Sequence, residues 1–158
     1  MMAMCPSCFE LSSDILSKPC CTCAAKPIRV SVELVNIVKI LINLGFKVAY
    51  ANCETSEDSD SRGKVTQISI DFETLYPEEM FYELPPDWEL TDSYPVLNNE
   101  VLGEPFSVLT CVCEHPPTEC DQESIDFDKK VTITNLETWL EEKDPESCKA
   151  ILKLAGCE

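Results

Sequence analysis

The chain has 158 residues, with 12 Lys and Arg against 29 Asp and Glu, a net charge of −17 at neutral pH, 44% hydrophobic residues, 11 Cys, 11 Pro, 4 Gly and 1 His. A chain of this size buries roughly two-thirds of the surface it would expose unfolded, so its apolar content suffices for one core and excludes a disordered acidic tail. Salt-driven contact with phosphates needs clustered cations, which this composition does not offer, and no apolar run approaches the ~20 residues that cross a bilayer.

The segment Met1 to Met4 leads into Cys5 with no basic or apolar leader, which points to a soluble, cytoplasmic protein. An odd number of cysteines cannot form a complete intramolecular disulfide set, and in a reducing compartment metal binding is the better account. Cys5-Pro-Ser-Cys8 and Cys20-Cys21-Thr-Cys23 supply two Cys-x-x-Cys pairs. Two such knuckles facing each other make a tetrahedral sulfur cage suited to zinc. Cys5, Cys8, Cys20 and Cys23 are therefore the expected ligands, with Cys21 able to replace Cys20; the competing reading is a set of reduced buried thiols or a redox pair. Four thiolates leave no position for water, so the metal is expected to be structural. Residues 1–26 read as a zinc-knuckle segment and residues 27–158 as an acidic α+β domain.

Beyond Lys26-Pro27, Ser31 is placed as the N-cap of a helix that runs to Leu44, with Leu34, Ile37, Val38, Leu41 and Leu44 on one stripe and Gly45 just past its end. Phe46 to Ala51 predicts a strand, and residues 54–63 a polar, solvated loop. Val65 to Phe72 alternates, with Thr66, Ile68, Ile70 and Phe72 on one face. Pro77, Pro85, Pro86 and Pro95 break up Tyr76 to Leu102, which is expected to be an irregular cover. Phe106 to Cys113 and Ile125 to Ile133 are expected strands. Thr134 and Glu137 have capping-box spacing for a helix with Leu136, Trp139 and Leu140 inward. Asp144-Pro145 opens a last helix to Gly156, burying Ile151, Leu152 and Leu154. The expected fold is α+β: a zinc knuckle on a small, mainly antiparallel sheet with one long helix and two short C-terminal helices.

Cys111 and Cys113 share one face of their strand, and Cys120 can return to them across Pro116-Pro117. With His115, or with Cys53, they form a candidate second metal site; the alternative is that these cysteines are small core residues. Cys148 and Cys157 are expected to pack. Residues 65–128 hold sixteen Asp and Glu and no Lys or Arg. Glu78, Glu79, Glu83, Asp87, Glu89 and Asp92 are the candidate partner-binding residues of that stretch. Three explanations compete: a solvated surface, an imitation of the nucleic-acid backbone presented to a basic protein, and divalent-cation binding, which lacks an EF-hand spacing. The lone His115 and the absence of a glycine-rich phosphate loop argue against an enzyme, leaving a small metal-dependent hydrolase using Cys53, Cys113 or His115 as the outlying reading.

Cys5-Pro-Ser-Cys8 with Pro19-Cys20-Cys21-Thr-Cys23, then Leu44-Gly45-Phe46-Lys47-Val48 and Tyr82-Glu83-Leu84-Pro85-Pro86 before Trp88, resembles uncharacterised small zinc-knuckle proteins of bacteriophages and mobile elements of Gram-positive bacteria. In those proteins the strand after the helix tends to end in a Cys-Cys-x-Gly-His-like cluster. Here Asn52-Cys53-Glu54-Thr55 stands in its place without the Gly or His. The resemblance implies a mobile-element origin. Joined to the charge pattern, it leads to the expectation of a non-enzymatic inhibitor of a basic, nucleic-acid-binding host protein, of anti-CRISPR or anti-restriction type; the alternative is a zinc-stabilised adaptor whose acidity serves solubility.

Overall fold

The computed structural model describes residues 1–13, 19–20 and 22–157. Three short strands open the chain, Met2–Met4 (β1), Leu11–Ser12 (β2) and Ile28–Val30 (β3), followed by a 3-10 turn at Val32–Leu34 and the helix Val35–Asn43 (α1). Two long strands come next, Val48–Glu57 (β4) and Lys64–Phe72 (β5), and after a 3-10 turn at Glu78–Phe81 the strand Trp88–Ser93 (β6). Val96–Leu97 (β7) and Glu100–Val101 (β8) form a small hairpin, then Phe106–His115 (β9) leads to the helices Gln122–Glu141 (α2) and Pro145–Leu154 (α3). The main sheet has seven strands in the order β2-β1-β3-β4-β5-β9-β6. Among the described residues only β3 and β4 run parallel, joined through α1, so the fold is α+β with a mixed, mainly antiparallel sheet. Among the described residues no helix is long and apolar enough to cross a membrane.

Cross-strand rows explain the core. Ala51, Ile70, Leu109 and Leu90 lie side by side, as do Cys53, Ile68, Cys111 and Trp88. This face packs against Leu34, Ile37, Val38 and Leu41 of the α1 region and Ile133, Leu136 and Leu140 of α2. Trp88 Nε1 donates to the Thr132 carbonyl at 3.1 Å, fastening α2 to the end strand β6. The opposite face carries Glu54, Gln67, Val112, Glu114, Glu89 and Thr91, all exposed. Such alternation is what a sheet covered on one side produces.

Local signals close the helices. After α1, Gly45 adopts φ 102°, the Gly45 amide reaches Ile42 O and the Phe46 amide reaches Leu41 O. That pair of bonds satisfies the orphan carbonyls, and the left-handed backbone explains why glycine stands there. Gly156 closes α3 in the same way, with Cys157 bonded to Leu152 O. Asp144 caps α3 by accepting from the Ser147 amide at 3.0 Å. An aromatic cluster holds the crossover from β5 to β6: Phe46 meets Tyr76 edge-on at 4.9 Å, and Phe81 stacks on Trp139 at 6.2 Å. Lys143 sits 4.1 Å above the Trp139 ring and donates to Met80 O.

Several expectations are corrected. Ile125 to Ile133 is not a strand but the first half of α2, a 20-residue helix. The β-branched run Val131 to Thr134 and the alternation of Ile125 and Phe127 with acids imitate a strand locally. The helix prevails because Asp121 caps it through the Ser124 amide and because Ile125, Ile133, Leu136 and Leu140 form one inward stripe. The capping-box pair Thr134 and Glu137 therefore lies inside this helix. Ser31 makes no side-chain cap to the first turn; its hydroxyl instead accepts from the Cys53 amide at 3.0 Å, tying the turn to β4. Residues 54–57 extend β4 rather than beginning a loop, since pairing with β5 continues to Glu57 and Lys64. The 76–102 cover contains β6, whose Trp88 and Leu90 pair in register with Cys111 and Leu109 of β9. In α3, Leu152 is buried, whereas Ile151 and Leu154 face water.

Gly63 ends the turn between β4 and β5, and a Cβ there would meet the main-chain oxygen of His115 on β9. Backbone cannot rotate aside as a side chain can, so Gly63→Ala is expected to destabilise the protein by about 2 kcal/mol or more, read as a lower urea midpoint at unchanged slope.

Candidate metal centre

The exit of β1 and the start of β3 lie side by side, with Met4 paired to Ile28. Cys5 follows the first directly, and the second knuckle precedes the other through Lys26-Pro27. The sheet thus brings the two knuckles together by pairing β1 and β3, strands from opposite sides of the 26/27 boundary. Their main chains are built alike. In the first, the Cys5 amide bonds Glu10 O at 2.9 Å and the Phe9 amide bonds Cys5 O at 2.9 Å; in the second, the Cys20 amide bonds Ala25 O at 2.9 Å and the Ala24 amide bonds Cys20 O at 2.8 Å. The fifth residue of each is left-handed without being glycine, Phe9 at φ 62° and Ala24 at φ 55°.

The thiol sulfurs of Cys5, Cys8, Cys20 and Cys23 all lie within 4.8 Å of one another, the only such group among the described residues able to hold a metal ion. Cys8 and Cys20 sulfurs are 3.8 Å apart. A tetrahedral ion with metal–sulfur bonds of about 2.3 Å spaces its sulfurs at about 3.8 Å, the separation that Cys8 and Cys20 already have. Cys20 stands in this quartet; Cys21 lies outside the described residues. Burial resists charge on Cys5, yet the amides of Cys8 and Ser7 and the neighbouring thiols hold its thiol down to about 7. Cys20 also reaches the Glu10 carboxylate at 3.5 Å.

The second group expected from the sequence is not gathered. His115 is buried with both ring nitrogens engaged, Nε2 with the Thr66 hydroxyl at 2.7 Å and Nδ1 with Asp128 at 3.1 Å. Thr66 in turn meets Thr55 at 2.7 Å, so a polar chain runs from β4 through β5 and β9 to α2. Hydroxyl, imidazole and carboxylate are ordered as nucleophile, base and orienting acid would be, but Thr66 is fully buried and its hydroxyl faces no solvent. Cys120 points its thiol at the carbonyls of His115 and Pro116. Sequence reasoning missed this network, because the pairing of Thr66 with His115 depends on β5 and β9 being neighbours.

Cys111 and Cys113 do share a face, as their spacing requires. Cys111 is buried, while Cys113 lines an open groove with Asp87, Phe127, Asp128, Val131 and Thr132. The Cys111 thiol and, more weakly, the Thr132 hydroxyl and His115 stabilise the Cys113 thiolate and hold it at about 6, against the effect of burial. Cys111 is correspondingly pushed upward by that same hydrogen bond and by burial. Burial pushes Cys53 up to about 11.

The six candidate partner-binding acids are all exposed, but they do not share one plane. Glu78 and Glu79 sit on the 3-10 turn, Glu83 and Asp87 in left-handed positions on either side of Pro85-Pro86, and Glu89 and Asp92 on opposite faces of β6. They follow the crossover and the sheet edge. Compared with protein-family models, curated proteins and solved structures, the chain matches none.

Two outcomes are expected. A left-handed backbone tolerates glycine and rejects a β-branched residue, so Ala24→Val should lose bound metal to a chelator faster than the parent, while Ala24→Gly should hold it at least as long. The thiolate is the reactive form of cysteine, so site-resolved alkylation of Cys113 should be slow below its value of about 6 and rise through it. Cys111→Ala should move that inflection up toward the ordinary cysteine value of about 8.5.

Proposed function

We propose that this is a metal-pinned, non-enzymatic interaction protein whose anionic surface engages a basic, nucleic-acid-handling protein. The observation that carries the reading is uncompensated charge. Of the sixteen acids between residues 65 and 128, all but Asp71 and Asp128 are exposed. Among the described residues the Lys ion pairs are Lys64–Glu57 and Lys129–Glu33, neither of which involves one of the sixteen, and Asp128 meets His115 Nδ1 at 3.1 Å. Carboxylates at that density oppose compaction, and where no cation of the same chain neutralises them they are available to a partner with the opposite field. The mobile-element origin that the resemblance of the N-terminal motifs implies would make a host CRISPR or restriction nuclease the class of partner to test first.

Zinc is the metal this reading assigns to Cys5, Cys8, Cys20 and Cys23, because four soft thiolates in a closed tetrahedron suit it and leave no coordination position for chemistry. Its role is to hold the N-terminal strands on the sheet, where binding energy becomes folding energy. Elemental analysis should find one zinc per chain, with Cys5→Ser and Cys23→Ser each releasing it and speeding amide exchange at Ala3 and Met4.

Partner binding is tested with the immobilised protein and a purified host nuclease. The complex should dissociate as salt rises from about 0.1 M to about 0.5 M, as screening shortens the reach of the field, and duplex DNA should compete for it. A complex that survives high salt, or that still admits DNA, overturns the reading in favour of a zinc-stabilised adaptor with acidity for solubility.

A further inference from the structure

Among the described residues the strand β6 ends the sheet, paired only with β9. Trp88 gives its amide to Pro85 O at 3.2 Å instead of to β9. Because antiparallel partners alternate between bonded and unbonded positions, Leu90 and Asp92 then direct their N–H and C=O groups away from the sheet. A row of this kind is a template for another strand.

The chain just beyond this edge is unusual for a surface. Asn98 and Asn99, both left-handed at φ 52° and 65°, turn the β7–β8 hairpin, and Tyr94, Val96, Leu97, Val101 and Leu102 around it are all exposed. Contiguous apolar surface next to unpaired backbone marks an interaction site. Its rim is acidic: Asp87 before the strand, Glu89 and Asp92 on it, Glu100 and Glu104 after it, with no cation in this part of the chain.

Charge decides the occupant. A second copy added edge to edge would bring two anionic strands together, with Glu89 carboxylates on one face of the joint sheet, Asp92 carboxylates on the other and no cation on either strand, and like charges on neighbouring strands repel. A segment carrying cations meets no such penalty. Glu89 and Asp92 stand three residues apart, so the complementary strand places its cations three residues apart as well.

We propose, resting on the anionic interaction reading above, that the β6 edge captures an extended basic segment of the partner as an added strand, with cations opposite Glu89 and Asp92 and apolar side chains on the β7–β8 hairpin. Backbone bonds to Leu90 and Asp92 supply affinity, and the carboxylates select the register.

The probe is the acetylated, amidated peptide Thr-Lys-Val-Thr-Lys-Val, compared with the same peptide N-methylated at alternate residues so that charge is kept and backbone donors are lost. The first should bind the full-length protein and slow amide exchange at Leu90 and Asp92. N-methylation should weaken binding by about tenfold or more, the loss expected for one or two hydrogen bonds. The double variant Glu89→Lys/Asp92→Lys, with an unchanged circular dichroism spectrum, should weaken it as much. Equal binding of both peptides overturns strand addition and leaves the anionic reading standing, as does no binding of either while the nuclease complex keeps its salt dependence. A free protein that sediments as a dimer with those two amides already protected gives the edge to a second copy and overturns the proposal.

Discussion

Ile68, Ile70 and Leu109 retain no exposed surface, and the rows they form with Ala51, Cys111 and Trp88 are buried beneath α1 and α2. The same strands present Gln67, Val112 and Glu114 to water on their other side. Burial of that single face supplies most of the driving force for folding, since the hydrophobic term scales with the apolar area removed from water. It also dictates where polarity can go. Carboxylates on the strands and their connections must find the open face, an edge or a loop, and the fold has all three.

Accumulated charge is the cost of this arrangement. Sixteen carboxylates without a cation repel one another, and the protein spreads them over the open face, the crossover, the β6 edge and the first turn of α2, where water screens them. The crossover is held from below by contacts that do not depend on its charge: the Phe46, Tyr76 and Phe81 cluster, and Lys143 reaching in from beside α3 to Met80 O. At the opposite edge the problem recurs in miniature. Four thiols within 4.8 Å cannot all ionise together without a cation among them, and a metal ion held there would resolve that while joining the β1 and β3 sides of the sheet.

The cysteine spacing, the α1 stripe with Gly45, the alternation of Val65 to Phe72 and the Asp144-Pro145 start of α3 are signals that act within a few residues, and each is legible because its physics is local. Ile125 to Ile133 was misread because alternation over a few residues is shared by strands and by one side of a helix; only the longer stripe to Leu140 and its burial against α1 separate them. The β6 strand was hidden among prolines, which flank it without interrupting it. The Thr66–His115–Asp128 chain could not be read at all, since its members lie 49 and 13 residues apart.

Composition and spacing by themselves determined that the chain has one core, that two Cys-x-x-Cys knuckles stand at its start, and that its middle carries negative charge without compensation, because these properties depend on residue identity and short range alone. Tertiary structure decided that Cys5, Cys8, Cys20 and Cys23 gather within 4.8 Å, that Cys111, Cys113, His115 and Cys120 do not converge, and that the acids line a crossover and a sheet edge instead of one plane. Those outcomes turn on strand order and register, where a shift of one residue exchanges the two faces of a sheet and no local pattern records which strand becomes the neighbour of which.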